Sequence, residues 1–311
     1  MGLDIVRESS VPLVPPHVAA MSAQRARLIV AFVAVSFVWG TTYFAIRVAL
    51  HSFPPFRMGG IRFLVAGSVL YVAMRWRGAA APTARQWGSA AITGALLLMV
   101  GNGAITVAQR HLTSSVAAII VATMPLWAVI FARFFGDRPT RGEAFGVVLG
   151  FTGVAVLNFG GDLAGNGLSA ALASLAPMGW ALGSLLSRRL PLAAGSLAMA
   201  MQMLAGGAAM MLLSVSLREH ATAALSARSV SAIAYLIVFG SLIAFSAYGY
   251  LLRNTRPAIA TSYAYVNPLV ALAVGATLGG ESVGLSTVLG AAVILAGVFL
   301  LSRARRKATH T

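Results

Sequence analysis

The sequence predicts an all-α integral membrane protein, ten transmembrane helices arranged as two inverted five-helix repeats. Three observations lead there. Hydrophobic residues make up 59% of the 311 and charged residues only 10%, too little charge to clothe a soluble domain of this length. Apolar runs of about 18–25 residues recur from end to end, each long enough to cross roughly 30 Å of hydrocarbon. The two halves also share an ordered series of matching residues when one is slid along the other by about 141–144 positions.

Taken in order, residues 1–27 carry Pro12, Pro15 and Pro16 without a helical period and read as a disordered tail with no cleavable leader. The first repeat, 28–159, holds spans at 28–50, 57–74, 87–108, 113–135 and 142–159. The second, 168–302, holds spans at 168–187, 194–215, 229–252, 257–278 and 284–302, and a basic tail follows at 303–311. Connections are short, so the function must lie inside the bundle. The offset aligns Trp39 with Trp180, Arg47 with Arg188, Arg110 with Arg253 and Pro125 with Pro268. After a one-residue gap, Asp137 meets Glu281 and Gly153-Val154 meets Gly297-Val298. Five is odd, so the second copy enters the membrane upside down. Inverted repeats of this kind enclose a midplane substrate site in many carriers.

Orientation follows from the arginines. With the N-terminus inside, Arg25, Arg27, Arg75, Arg77, Arg85, Arg133, Arg138, Arg141, Arg188, Arg189, Arg253, Arg256 and the C-terminal cluster all face the cytoplasm, against Arg57, Arg110, Arg218 and Arg228 outside. Both termini are then cytoplasmic in a bacterial inner membrane. The net charge of +16 is loop charge of this kind, which argues against a nucleic-acid partner. The expected partners are the lipid bilayer and a small-molecule substrate; oligomeric state is left open. With no cysteine, disulfides and thiolate metal sites are excluded, and no cofactor or metal is expected.

Polar and aromatic residues at mid-span are the candidates for a substrate cavity, because polar groups in lipid must face protein or water. Asn102, Thr106 and Gln109 share one face of the third span and either line a wet cavity or act as polar glue between helices. Trp39 and Tyr43, one turn apart, and the matched Trp180 either stack on a substrate or serve packing and the interfacial belt. Gln202 stands alone in the seventh span and should face the bundle. Tyr248 and Tyr250, like Tyr263 and Tyr265, diverge by about 200° on a helix. Tyr248 and the Tyr263–Asn267 face are therefore preferred for the cavity. Pro125 and Pro268, at matched positions, are candidates for kinks or hinges. Arg47 and Arg62, near span ends, are expected to snorkel to the interface, with attraction of an anion at the exit as the alternative. Gly142, Gly146 and Gly150 make a small-residue face for close helix contact.

No carboxylate or histidine is expected deep in the membrane: Asp4, Glu8, Asp137, Glu143, Asp162, Glu219 and Glu281, like the histidines, sit in tails, loops and span ends. That favours uniport-like movement, or coupling through span-end groups, over a buried proton relay. Enzyme readings find little support: no His-Glu-x-x-His and no P-loop lysine occurs, and the serines have no histidine partner expected at membrane depth.

Val38-Trp39-Gly40-Thr41-Thr42-Tyr43, then Pro54-Pro55-Phe56 and Arg62-Phe63, resemble motifs of the EamA family in the drug/metabolite transporter superfamily. The turns Gly136-Asp137-Arg138 and Gly280-Glu281-Ser282 resemble its Gly-Glu-Arg/Lys turn, although Asp137 replaces the usual Glu and Ser282 the usual basic residue. The resemblance covers about 28–302. It implies the ten-helix inverted-repeat fold and a carrier, usually an exporter, of small organic solutes such as amino acids or related metabolites, working by alternating access. A carrier of cationic drugs and a channel-like pore are the alternatives.

Overall fold

A computed structural model describes residues 16–136, 138–159, 167–221, 223–255 and 263–308, and the regular structure among them is helical throughout. The first half contains α1 (Pro16–Ala49), α2 (Pro55–Trp76), α3 (Ala84–Gly94), α4 (Gly103–Ala108), α5 (Ser114–Val121), α6 (Met124–Phe134) and α7 (Arg141–Phe159). The second contains α8 (Gly167–Ser187), α9 (Ser196–Ser216), α10 (Ala227–Tyr235), α11 (Ala244–Asn254), α12 (Tyr263–Leu278) and α13 (Leu285–Ala308). Two π-helical segments, Ala95–Asn102 and Leu236–Ile243, make α3–α4 and α10–α11 continuous rods.

Among the described residues, six helical stretches are long and apolar enough to cross a membrane: Gln24–Ala49, Pro55–Trp76, Ala84–Ala108, Ser114–Phe134, Ser196–Ser216 and Ala227–Leu251. Shorter apolar helices, Ala171–Ser187, Val266–Leu278 and Leu285–Leu300, fall where further spans were expected. α1 starts at Pro16, inside the stretch expected to be structureless. Proline is tolerated in a first helical turn because its missing N–H would have no helical partner there. Likewise α13 runs on to Ala308, into the expected basic tail. Residues 1–15 and Asp137 lie outside the described residues.

Local chemistry sets several helix starts. Thr83 and Gln86 form a reciprocal capping box on α3, each side chain accepting from the other's backbone N–H. Thr140 and Glu143 do the same for α7, and the Ser226 hydroxyl caps α10 through Ser229 N–H.

Between helices, glycine allows backbone to meet backbone. A Cβ on Gly67 of α2 would stand 3.0 Å from Leu204 N of α9, and one on Gly207 of α9 would stand 2.9 Å from Leu64 N of α2. On α13, a Cβ at Gly297 would come within 2.5 Å of Gly150 N and 2.8 Å of Gly146 O. The glycine face expected on α7 is thus pressed against α13 at Gly146 and Gly150. Such contact suits lipid, where association rests on close van der Waals packing.

Unlike a soluble domain, the bundle turns large apolar side chains outward and buries several polar ones. Ile29, Val33 and Phe37 of α1, Phe145 and Val148 of α7, and Leu212 and Val215 of α9 face outward, while Thr42, Arg62, Thr93, Thr106, Gln109 and Asn267 are buried. An apolar exterior with polar side chains turned inward belongs in hydrocarbon.

Candidate functional site

Trp39, Thr42, Tyr43 and Ile46 recur at the three- and four-residue spacing of one helix face, and that face of α1 forms one wall of a cavity inside the bundle. Arg62 of α2, Asn102 and Ile105 at the α3–α4 junction, and Val121 and Met124 on either side of the α5–α6 break complete the contribution of the first half. The second half adds Trp180 of α8, Phe245 of α11, and Tyr263 and Asn267, one turn apart on α12. Together they surround a narrow, open-mouthed cavity.

Aromatic rings dominate the wall. Trp39 lies edge-on to Trp180 (ring centroids 6.1 Å), Phe245 (5.1 Å) and Tyr263 (4.9 Å), and tilted against Tyr248 (5.3 Å). Trp180 fits because Gly101 has no side chain: a Cβ there would stand 2.5 Å from the Trp180 ring.

The π-helical segments feed this wall. Wider winding loosens the regular backbone ladder, and such turns recur at functional sites. Within Leu236–Ile243, the Gly240 carbonyl accepts from Trp39 Nε1 at 3.1 Å and from Arg62 Nη2 at 3.3 Å. The adjacent Ser241 Oγ accepts from Arg62 Nε at 2.9 Å. Asn102 ends the other π segment and donates its amide back to Leu97 O at 3.3 Å. With its amide turned to satisfy both atoms, Asn267 donates to Ser36 O at 2.9 Å and to Tyr263 O at 3.2 Å.

Of the sequence candidates, Trp39, Tyr43, Asn102, Trp180, Tyr263 and Asn267 line this cavity together, and the remaining ones sit off the wall. The Thr106 hydroxyl donates to the Asn102 carbonyl one turn back, at 2.7 Å. Gln109 donates to Tyr43 O at 2.8 Å, tying α4's end to α1, and its buried Oε1 has no partner among the described residues. Gln202 bridges α9 to Thr93 (2.9 Å) and Ser187 (3.1 Å). Tyr248 stands behind Trp39 and Tyr263. Pro125 is the second residue of α6, just past the break at residues 122–123, whereas Pro268 lies inside an unbroken α12.

Sequence reasoning left Thr42, Ile46, Ile105, Val121, Met124, Phe245 and, above all, Arg62 out of the cavity wall. The 39/42/43/46 spacing alone would have found the first two. Arg62, expected to snorkel outward, is 4% exposed. The α10–α11 rod closes over it and offers Gly240 and Ser241 within reach, so the guanidinium turns inward. Arg47, also expected to snorkel, pairs with Glu281 at 2.5 Å. That carboxylate also accepts from Ser114 N and Oγ (2.9 and 2.7 Å) and from Ser115 N and Oγ (3.2 and 2.8 Å), at the start of α5. Burial pushes the Glu281 carboxyl up, but the hydrogen bonds from Ser114, Ser115 and Arg47 outweigh it and hold the group below its ordinary value. Gly280, at φ +60°, supplies the left-handed turn that delivers Glu281 there. Among the described residues no three His, Asp or Glu stand close enough to hold a metal ion.

Comparison with known proteins agrees with this architecture. The model of the EamA-like transporter family matches residues 26–159 and 167–303. The uncharacterized inner membrane transporter YedA of Escherichia coli (strain K12) is 43% identical over 273 residues, covering 88% of this chain and 89% of that one. A probable terminal-alkyne amino-acid exporter of Streptantibioticus cattleyicolor is 27% identical, covering 85% and 90%. A solved crystal structure shares the fold at TM-score 0.63 and 21% identity, covering 91% of this chain and 99% of the other.

Proposed function

We propose that this chain, which belongs to the EamA-like transporter family, exports small organic solutes such as amino acids or related metabolites. One observation carries the reading: both halves of the chain contribute walls to a single aromatic cavity, Trp39, Tyr43 and Asn102 from the first and Trp180, Tyr263 and Asn267 from the second. Such a chamber suits an amphipathic solute that exposes a flat or apolar body and a few polar atoms. The distant relative named as a probable amino-acid exporter supports cargo of this class.

The proposed architecture is ten spans in two inverted five-helix repeats, in the bacterial inner membrane with both termini cytoplasmic. The π-helical segments support the repeat, since Ala95–Asn102 and Leu236–Ile243 are offset by 141 residues at both ends. Gly136 and Gly280, offset by 144, both take positive φ. Alternating access would open the cavity to each side in turn, with the α5–α6 break before Pro125 and the proline-bearing α12 as the elements that bend.

Flux of a solute panel, amino acids first, into and out of reconstituted vesicles tests the reading. Saturable flux without channel currents supports a carrier; ohmic currents sink it. Topology is tested on the cysteine-free background with Arg77→Cys, expected to label only from inside, and His220→Cys, expected to label only from outside.

A further inference from the structure

Among the described residues, Arg62 is the one charged side chain on the cavity wall, and no carboxylate pairs with it. It is 4% exposed, and Arg47–Glu281 is the ion pair those residues contain. Its partners are neutral: Ser241 Oγ on Nε, the Gly240 carbonyl on Nη2, and the Phe63 ring 4.7 Å from the guanidinium carbon. Nη1 makes no hydrogen bond among the described residues. A guanidinium keeps its proton under physiological conditions, so burial cannot neutralise it as it can a lysine. A fixed positive charge at membrane depth is costly unless it is paired, and such residues mark substrate paths.

We propose that Arg62 is the anchor for an anionic group on the transported solute, and that the solute is an organic carboxylate. This rests on the carrier reading above and names its substrate class. The planar fork of the guanidinium matches the two oxygens of a carboxylate. The described wall presents no lysine, histidine or second arginine, so its single positive charge suits a monoanion better than a phosphate dianion. Trp39, Trp180 and Phe245 offer the surface for the apolar body. The same charge opposes the cationic-drug alternative, because the described wall carries no Asp or Glu to receive a cation and Arg62 would repel one. Ser241 and Gly240 hold Nε and Nη2, which keeps Nη1 turned to the solute.

The test pairs each proteinogenic amino acid with its carboxamide in vesicles carrying the full-length protein, for wild type, Arg62→Gln and Arg62→Lys. The readout is the acid-to-amide flux ratio, which does not depend on how much folded carrier survives reconstitution. Quenching of cavity tryptophan fluorescence gives binding independently. For at least one amino acid the wild type should prefer the acid by about tenfold to a hundredfold, the worth of a charge-assisted contact. Arg62→Gln should bring that ratio close to unity, and Arg62→Lys should retain part of it. If the wild type moves amides as well as acids, or Arg62→Gln keeps the preference, the anchor is overturned while the carrier stands. If the wild type neither binds nor moves any acid or amide, the proposed cargo class and the anchor fall together.

Discussion

Trp39 and Trp180, 141 positions apart in the chain, meet edge to face in the cavity with ring centroids 6.1 Å apart and planes at 65°. The geometry is the favoured one for aromatic quadrupoles. The two rings differ in duty, however. Trp39 also bonds Gly240 O and touches Phe245, Tyr248 and Tyr263, whereas Trp180 has Phe245 as its other aromatic neighbour. Trp180→Ala is therefore expected to raise KM for the transported solute about tenfold, or ~1.4 kcal/mol of binding, with the fold kept. Trp39→Phe should instead lower stability by about 1 kcal/mol through the lost hydrogen bond. Flux kinetics and thermal unfolding in detergent separate the two, and an unchanged KM for Trp180→Ala would remove that ring from the binding surface.

Glu281 predicts a pH dependence with a definite sign. Its folded-state affinity for protons is depressed, so the stability it contributes is complete above the unfolded carboxyl value of about 4.3. That contribution disappears as pH falls through the lower folded value. Its side chain is 1% exposed, and Glu281→Gln leaves donors of Ser114, Ser115 and Arg47 short of an acceptor. At neutral pH the variant should be less stable by about 1–3 kcal/mol, and its unfolding curve should approach the wild type's at strongly acidic pH. Parallel curves down to about pH 3, past the ordinary carboxyl range, would show that Glu281 is not the titrating group.

Two glycines should respond in opposite directions. Gly297→Ala forces a methyl to within 2.5 Å of Gly150 N, where only backbone can yield, and should destabilise by about 1–3 kcal/mol. A Cβ on Gly88 of α3 meets nothing within 4 Å, so Gly88→Ala should be neutral or stabilising by up to about 1 kcal/mol. Melting temperatures of the two variants side by side give the check.

Gln202 was a candidate for the cavity by its isolation in an apolar span, yet its amide joins α9 to Thr93 and Ser187. Gln202→Leu should cost about 0.6–2 kcal/mol of stability and leave KM unchanged. A KM shift without a stability loss would return it to the solute path.

The chain by itself determined the all-helical membrane class, the positions of the apolar rods and the family, because hydropathy, span length and motif order are written locally. It also put forward Trp39, Tyr43, Asn102, Trp180, Tyr263 and Asn267 among its candidates for a cavity. Only the tertiary structure decided which of the inward groups meet the cavity and which bond each other. Gln109 and Gln202 look like Asn102 in sequence, and the difference lies in what the neighbouring helix presents. Arg62 is the sharpest instance. Counted along α2 it stands near a helix end, where a long side chain reaches water. In the folded bundle a π-helical segment 174 to 181 residues further on covers that route and supplies Gly240 and Ser241, so the charge faces the cavity. Local sequence encodes depth along a helix; the direction a side chain takes is settled by the partners that packing brings to it.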